Sequence, residues 1–155
     1  MPAEDMFHEL LLTFFTAMTP VLELRGAIPV GVAAGLPPAV ACAVSIVGNL
    51  VPVPFIILLT RRIFDWLRRT RTFGPRIQWL ERRAHLKGRL VRKYRLAGLM
   101  ILVAIPLPGT GAWTGALVAA VLDIRLRHAM PAIAMGVVIA GIIITALTMG
   151  VVHLF

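Results

Sequence analysis

Apolar residues are grouped along this chain into long blocks separated by short polar or charged stretches. Two blocks, residues 37–60 and 129–155, run without interruption for long enough to cross a membrane, because a spanning helix needs about 20 apolar residues. Two others, residues 10–36 and 96–122, are broken in the middle by proline, glycine and polar residues. The pattern predicts two full-length membrane helices and two interrupted segments.

The interruptions are ELRGAIP at residues 23–29 and PLPGTGAWTG at residues 106–115. The arms beside the second one, residues 96–104 and 112–122, would rise roughly 13 and 16 Å as helices, about half of the ~30 Å hydrocarbon core. Half-length arms that meet at a break are typical of a re-entrant hairpin, whose exposed backbone is tolerated only where protein or water covers it. Paired broken helices also point to a transporter's binding site.

Composition supports an integral membrane protein with one basic segment. Hydrophobic residues make up 59% of the chain and the mean hydropathy is +0.87, whereas soluble domains are about 45–50% apolar. Residues 61–95 hold 13 Lys/Arg and two acids, a charge of +11 (13 − 2). Because cytoplasmic loops retain such residues, we expect this segment inside, with its second half as an amphipathic helix near anionic headgroups. Membrane flanks explain the charge more simply than nucleic acid does, so no nucleic-acid partner is expected.

Orientation separates two topologies. If both broken stretches crossed fully, the turn at residues 123–128 would carry Arg125 and Arg127 outside, against the positive-inside rule. If both re-enter, this turn and residues 61–95 are inside, and both termini are outside. We therefore predict two opposed hairpins whose tips meet near the midplane.

The two halves also resemble each other in sequence, which favours an inverted repeat. Ala-Ile-Pro at residues 27–29 recurs at 104–106, and each copy is followed by a GxxxG pair. The pairs are Gly31 with Gly35 and Gly111 with Gly115, a spacing that lets helices approach closely in lipid.

Glu23 and Arg25 lie in the first predicted break. Ionisable residues within a membrane are costly and indicate function by default. In the functional interpretation, Arg25 attracts an anionic substrate while Glu23 gains and loses a proton; the alternative is a structural ion pair. Because residues two apart do not share a helical face, Glu23 could instead pair with the other hairpin.

The second break predicts a helix that starts near Gly111 and points its free N–H groups at the midplane, where they would bind an anion. Thr110 and Thr114 add hydroxyl groups, and Trp113 adds an amphipathic ring. Asn49 lies within the first spanning helix and needs partners, either in the hairpin backbones or in a structural interhelical bond. Pro52 and Pro54 should kink that helix.

No catalytic, metal or cofactor site is expected. The four histidines are scattered without metal-ligand spacing, and no nucleophile–base pair is visible. The single cysteine, Cys42, lies in an apolar run and fits a packing role.

Three motifs together resemble the prokaryotic family of small multi-drug export proteins: ELRGAIP, SxxGNxxPVPF and AIPLPGTGAWTGAL. That family is similar to the wider DedA/VTT superfamily, whose members are thought to carry two facing re-entrant hairpins and include flippases of undecaprenyl phosphate and phospholipid scramblases. The resemblance implies a transporter. DedA proteins usually have an arginine in the second hairpin, where this chain has Thr110, which argues against a phosphate-lipid substrate.

The motifs carry family positions over to fourteen residues of this chain. Six are expected to form the site that binds the substrate or ion: Glu23, Arg25, Asn49, Thr110, Trp113 and Thr114. Eight are expected to shape the breaks and helix contacts: Gly26, Pro29, Gly48, Pro106, Pro108, Gly109, Gly111 and Gly115.

We therefore expect a single all-α membrane domain over residues 1–155, multi-pass in a prokaryotic plasma membrane. Its expected function is ion- or proton-coupled secondary transport of an amphipathic or anionic substrate. The alternatives are a DedA-like lipid flippase or scramblase and a non-transporting membrane assembly factor. Because two spanning helices bury little surface in lipid, a homodimer or larger homo-oligomer is expected.

Overall fold

The computed structural model describes residues 3–70, 75, 78–79 and 88–154. Within these residues the protein is all helical and contains no strand, as predicted. The long helices of this part of the chain are α1 (Ala3–Met18), α2 (Glu23–Ala33), α3 (Pro38–Leu50), α4 (Pro52–Arg69), α5 (Gly88–Ala104), α6 (Ala112–Val121) and α7 (Leu126–Leu154).

Two helical stretches are long and apolar enough to cross a membrane. The first, Pro38–Leu67, joins α3 to α4, and the second, Leu126–Leu154, is α7; the mean hydropathy of an 18-residue window reaches 2.3 in the first and 2.4 in the second. α3 and α4 meet at Val51, directly before Pro52. Proline cannot donate the backbone hydrogen bond that would continue the helix, and the division between α3 and α4 lies at the position where a kink is predicted.

The arms α2 and α6 are much shorter than the spanning helices. They contain 11 and 10 residues, which corresponds to rises of roughly 16 and 15 Å, about half of a bilayer core. Both are followed by a tight turn and then by a long helix.

The first break lies earlier than predicted. Residues 23–29 were expected to interrupt the helix, but they form most of α2, and the chain turns instead at residues 19–22. Pro29 sits inside α2, which is tolerated in apolar surroundings when neighbouring helices cover the freed backbone. Pro20 is the residue that stops α1 from continuing, since proline cannot sit in a helix interior without losing a bond.

The second break lies close to its prediction. The chain leaves α5 at Ala104 and re-enters a helix at Ala112, with Gly111 as the N-cap. The predicted helix start near Gly111 is therefore confirmed, while Trp113, Thr114 and Gly115 belong to α6 rather than to the break. The two Ala-Ile-Pro copies are not structurally equivalent, because residues 27–29 lie inside α2 whereas Ala104 ends α5.

A different register relates the two halves of the structure. After α2, Leu36 donates its N–H to the Gly31 carbonyl, and Ala41 donates to Pro37. After α6, Ile124 donates to Ala119, and Ala129 donates to Arg125, so each bond recurs 88 positions later (124 − 36). The residues in the left-handed conformation follow the same shift, from Gly35 at φ 102° to Asp123 at φ 52°.

Close helix contacts recur in the same way. A methyl group at Gly48 of α3 would lie 2.6 Å from the Phe14 carbonyl oxygen of α1. A methyl group at Gly136 of α7 would lie 2.7 Å from the Met100 carbonyl oxygen of α5. The long helix of each half thus packs against the first arm of its own hairpin at a glycine.

The second arm of each hairpin, α2 or α6, contacts a helix of its own half of the chain and a helix of the other half. α2 packs against α3 and α7, and α6 packs against α4 and α7. The apolar core formed in this way includes Ile28, Ile57, Leu99, Ile133 and Val137. Large apolar side chains are exposed on the outer surface, as expected for a surface that faces lipid.

Arginines from both sides of the basic segment converge on the end of α6. The Arg61 guanidinium donates to the Ile124 carbonyl and lies 3.6 Å from the Asp123 carboxylate. The Arg95 guanidinium donates to the Leu122 carbonyl at 3.4 Å. The predicted amphipathic helix within residues 61–95 falls largely on residues outside those described.

Candidate functional site

Glu23 is a buried carboxylate at the start of α2. Only 6% of its surface is exposed, and its φ of +47° is in the left-handed region that residues with a side chain rarely adopt. Its N–H closes the turn by donating to the Thr19 carbonyl at 3.1 Å. The first break therefore ends in a residue that is both strained and buried.

The Glu23 carboxylate lies at the N-terminus of the other hairpin's short helix. Its Oε1 accepts the Trp113 N–H of α6 at 3.1 Å. The first N–H groups of a helix have no partner within it and carry a partial positive charge, so a carboxylate stabilises them. The anion site predicted near Gly111 is thus occupied by the protein's own side chain, and Glu23 bonds to the other hairpin.

Arg25 also reaches across to the second break. Its guanidinium donates to the Thr110 carbonyl at 2.5 Å and to the Thr110 hydroxyl at 2.8 Å. Arginine offers several donors in a fixed planar arrangement, so one side chain can hold both oxygens of a single residue.

The second break is shaped to present Thr110 in this way. Thr110 donates its N–H to the Leu107 carbonyl at 3.1 Å, and Gly109 between them has φ +81°. Pro108 at the second position and glycine at the third are typical of a type II β-turn. Thr114 closes the loop from the helix side by donating its hydroxyl to the Gly109 carbonyl at 2.8 Å.

Trp113 adds a third contact between the hairpins. Its indole N–H donates to the Met18 carbonyl at 3.2 Å, and Met18 is the last residue of α1, whose final carbonyls lack partners within the helix. The tips are therefore joined by Glu23 to Trp113, by Arg25 to Thr110 and by Trp113 to Met18.

Gly111 makes room for this arrangement. Its φ of +140° is unfavourable for other residues, and a methyl group at this position would overlap the Glu23 carboxylate. Glycine is needed here both for the backbone conformation and for the close approach of the carboxylate.

A cavity of about 10 Å³ lies beside the Glu23 carboxylate, roughly the size needed for one water molecule. Asn49 of α3 lines it and is 1% exposed. Asn49 Oδ1 has no hydrogen-bond partner among the described residues. The lining residues are Glu23, Leu24, Arg25, Asn49, Val103, Pro106, Gly111, Ala112, Val137, Ala140 and Ile144.

The structure brings together five of the six predicted binding residues. Glu23, Arg25 and Asn49 line the cavity, while Thr110 and Trp113 hold the hairpin tips together. Thr114 bonds within its own loop instead.

Sequence reasoning missed the Met18 carbonyl and the apolar lining from α7, for example Val137. A backbone oxygen and a common apolar residue carry no sequence signal of their own. Among the described residues no group of three or more His, Cys, Asp or Glu could hold a metal ion.

Comparison with known proteins gives one match. A family model described as "Putative small multi-drug export protein" matches residues 23–143, a range that begins at Glu23, contains the second break and ends within α7. That description names an exporter rather than an enzyme. Neither the curated proteins nor the solved structures contain a match to this chain.

Proposed function

The chain belongs to the small multi-drug export protein family, and on that premise we propose that it is an ion-coupled membrane transporter with its site between two re-entrant hairpins. The observation that carries this proposal is the buried Glu23 carboxylate at the N-terminus of α6. Half-helix ends that converge on a midplane site are characteristic of secondary transporters.

Contacts at the two ends of the second hairpin support re-entry. Arg95 near its beginning bonds to the Leu122 carbonyl near its end, and Arg61 from the middle of α4 bonds to the Ile124 carbonyl. A segment whose entrance and exit lie side by side returns to the face from which it came. The short arms α2 and α6 are consistent with penetration to about the midplane.

The repeated backbone pattern supports an inverted repeat. Each half consists of a broken hairpin, a turn with the same hydrogen bonds, and a long helix packed through a glycine. With an odd number of crossings between them, the two hairpins would enter from opposite faces.

In the proposed mechanism the hairpin contacts form a gate. While Glu23 is ionised, it binds the N-terminus of α6, and Arg25 is held by Thr110. A proton on Glu23 removes the charge that the helix end stabilises, so the tips separate more readily. Arg25 is then free to bind an anionic or amphipathic substrate.

Reconstituted protein tests this proposal. Proteoliposomes would be loaded with cationic drugs, anionic amphiphiles or polyprenyl and phospholipid phosphates, with and without a pH gradient. We expect gradient-driven movement that Glu23→Gln abolishes and Arg25→Ala weakens. Glu4→Gln, which removes an exposed carboxylate of α1, is the matched control. Gradient-driven transport that persists in Glu23→Gln would overturn the proton role.

A lipid flippase or scramblase is the second candidate, and one observation favours it. A groove of about 380 Å³ between α5 and α6 is lined mainly by apolar residues, among them Leu99, Leu102 and Val118, and it ends at Tyr94 and Arg95. An acyl chain fits such a groove, and Arg95 would face a headgroup. Lipid movement that needs no gradient and is weakened by Arg25→Ala would select this candidate.

We further propose that residues 61–95 are cytoplasmic and contact anionic headgroups, that the membrane is a prokaryotic plasma membrane, and that the protein forms a homodimer or larger assembly. An assembly factor without transport activity would instead depend mainly on the basic segment. Neutralising its arginines would then impair function more than Glu23→Gln does.

A further inference from the structure

One residue that lines the cavity beside Glu23, Asn49, carries an acceptor without a donor. Asn49 Oδ1 is buried and has no partner in the described part of the chain. An unpaired buried acceptor loses its hydrogen bonds to water, so native proteins rarely retain one without a reason. The cavity has room for about one water-sized species.

The structural register shows where this cavity lies within the fold. Under the shift of 88 positions seen in the backbone hydrogen bonds, Glu23 corresponds to Gly111, Leu24 to Ala112 and Asn49 to Val137. All six of these residues line the cavity. Three corresponding pairs around one small space put the cavity where the two halves meet.

The two halves contribute different chemistry to this shared space. The first half supplies the carboxylate of Glu23 and the amide of Asn49. The second half supplies Gly111, which leaves room for the carboxylate, and Val137, which is buried and apolar. The first half therefore lines the site with polar groups, and the second half lines it with a glycine and an apolar side chain.

We propose that the cavity is a proton site in which Asn49 Oδ1 accepts a hydrogen bond from protonated Glu23, directly or through one water. This deepens the proposed function and rests on its proton coupling. An ionised carboxylate has no proton to donate, whereas a protonated one has an O–H donor. The orphaned acceptor of the ionised state is thus the partner of the protonated state.

The proton transfer is balanced within this site. A proton arrives on water, one Glu23 oxygen forms an O–H bond, and the donating water keeps the electron pair of the bond that breaks. Arg25 is the other charged group that lines the cavity; the described residues of α3, α5, α6 and α7 contribute no charged side chain there. Glu23 is accordingly the group that changes charge.

Infrared difference spectroscopy of the purified full-length protein, recorded against pH, tests the proposal without a substrate. The carbonyl band of protonated Glu23 is identified by its loss in Glu23→Gln. In Asn49→Val this band should move to higher frequency, and the proton affinity should fall about tenfold, the effect of losing one hydrogen bond.

The correspondence between Asn49 and Val137 supplies a rescue variant. Asn49→Val combined with Val137→Asn places the amide on another lining position of the same cavity, so the band and the proton affinity should return toward those of the wild type. Ser45→Ala is the matched control, because Ser45 is also buried on α3 with an unpartnered hydroxyl but does not line the cavity. It should leave the band unchanged.

Each result supports or overturns the proposal. An unchanged Glu23 band in Asn49→Val, or an equal change in Ser45→Ala, contradicts it. If Asn49→Val does not fold, Asn49→Ala takes its place with the same expected shift to higher frequency, and the absence of a shift contradicts the proposal. A band that responds as expected in a protein without transport would retain the proton site and reject the proposed function.

Discussion

Glu23 combines two features that each cost free energy. A residue other than glycine in the left-handed region is strained by about 1–3 kcal/mol, and a carboxylate buried to 6% exposure loses most of its hydration. The α6 N-terminus and Arg25 offset part of the second cost. Strain of this kind persists where surrounding structure enforces it, which is typical of binding and switching sites.

Gly111→Ala tests whether the carboxylate and α6 are as close as described. The added methyl group overlaps the Glu23 carboxylate, so we expect a loss of stability clearly larger than the ~1–3 kcal/mol of backbone strain alone. The measurement is thermal unfolding of the purified protein in detergent.

Two variants separate the contact from the strain. Gly109→Ala has the strain without the contact, since Gly109 has φ +81° and open space around it. Gly111→Ala with Glu23→Ala removes the carboxylate and should recover part of the loss. Equal effects of Gly109→Ala and Gly111→Ala would mean that the carboxylate does not lie against Gly111.

For single residues, the sequence made the polar residues of the candidate site conspicuous but did not reveal the groups that they contact. Glu23, Arg25 and Asn49 stand out because charged and amide groups are rare in apolar segments. Their contacts with Trp113, Thr110 and the cavity could not be predicted, because they join positions about 90 residues apart (Glu23 and Trp113) through backbone groups that every residue has.

The helices show why the first break was misjudged and the second was not. The second break has two prolines and two glycines with positive φ, Gly109 and Gly111, so composition and conformation agree. In the first broken segment, proline and glycine also occur inside α2, and the helix continues through Pro29. The chain turns instead at residues 19–22, which contain one proline and no glycine. Local composition therefore could not locate this break.

The glycines at two helix crossings, Gly48 and Gly136, give a prediction about how closely the helices approach each other. Gly48→Ala and Gly136→Ala each bring a methyl group to within 2.6–2.7 Å of a carbonyl oxygen on the facing helix. Since the backbones must then move apart, we expect a loss of about 1–3 kcal/mol from each variant. Thermal unfolding with size-exclusion detection measures it.

Gly98→Ala is the control for this pair of variants. Gly98 lies in α5 with nothing within 4 Å of the added methyl group, so the substitution should be neutral or stabilise by up to ~1 kcal/mol through helix propensity. Stability losses in Gly48→Ala or Gly136→Ala no larger than that of Gly98→Ala would contradict the close crossings.

For the whole molecule, hydropathy predicted both spanning helices and the half-length second arms. The Ala-Ile-Pro identities gave a register that the structure does not share, because the two copies lie in different parts of their hairpins. Backbone hydrogen bonds and glycine contacts recur instead at a spacing of 88 positions (124 − 36), which few sequence identities accompany. Val137 therefore had no visible relation to Asn49.

The central claim is that the two hairpins enter from opposite faces, and side-specific labelling tests it most directly. In a Cys42→Ala background, single cysteines would replace Asp5, Arg125 or His153, and a membrane-impermeant maleimide would be added to vesicles of either orientation. The account predicts that position 125 is labelled from the cytoplasmic side and that positions 5 and 153 are labelled from outside. Labelling of position 125 from outside and of positions 5 and 153 from the cytoplasm would mean that both broken segments cross the membrane completely.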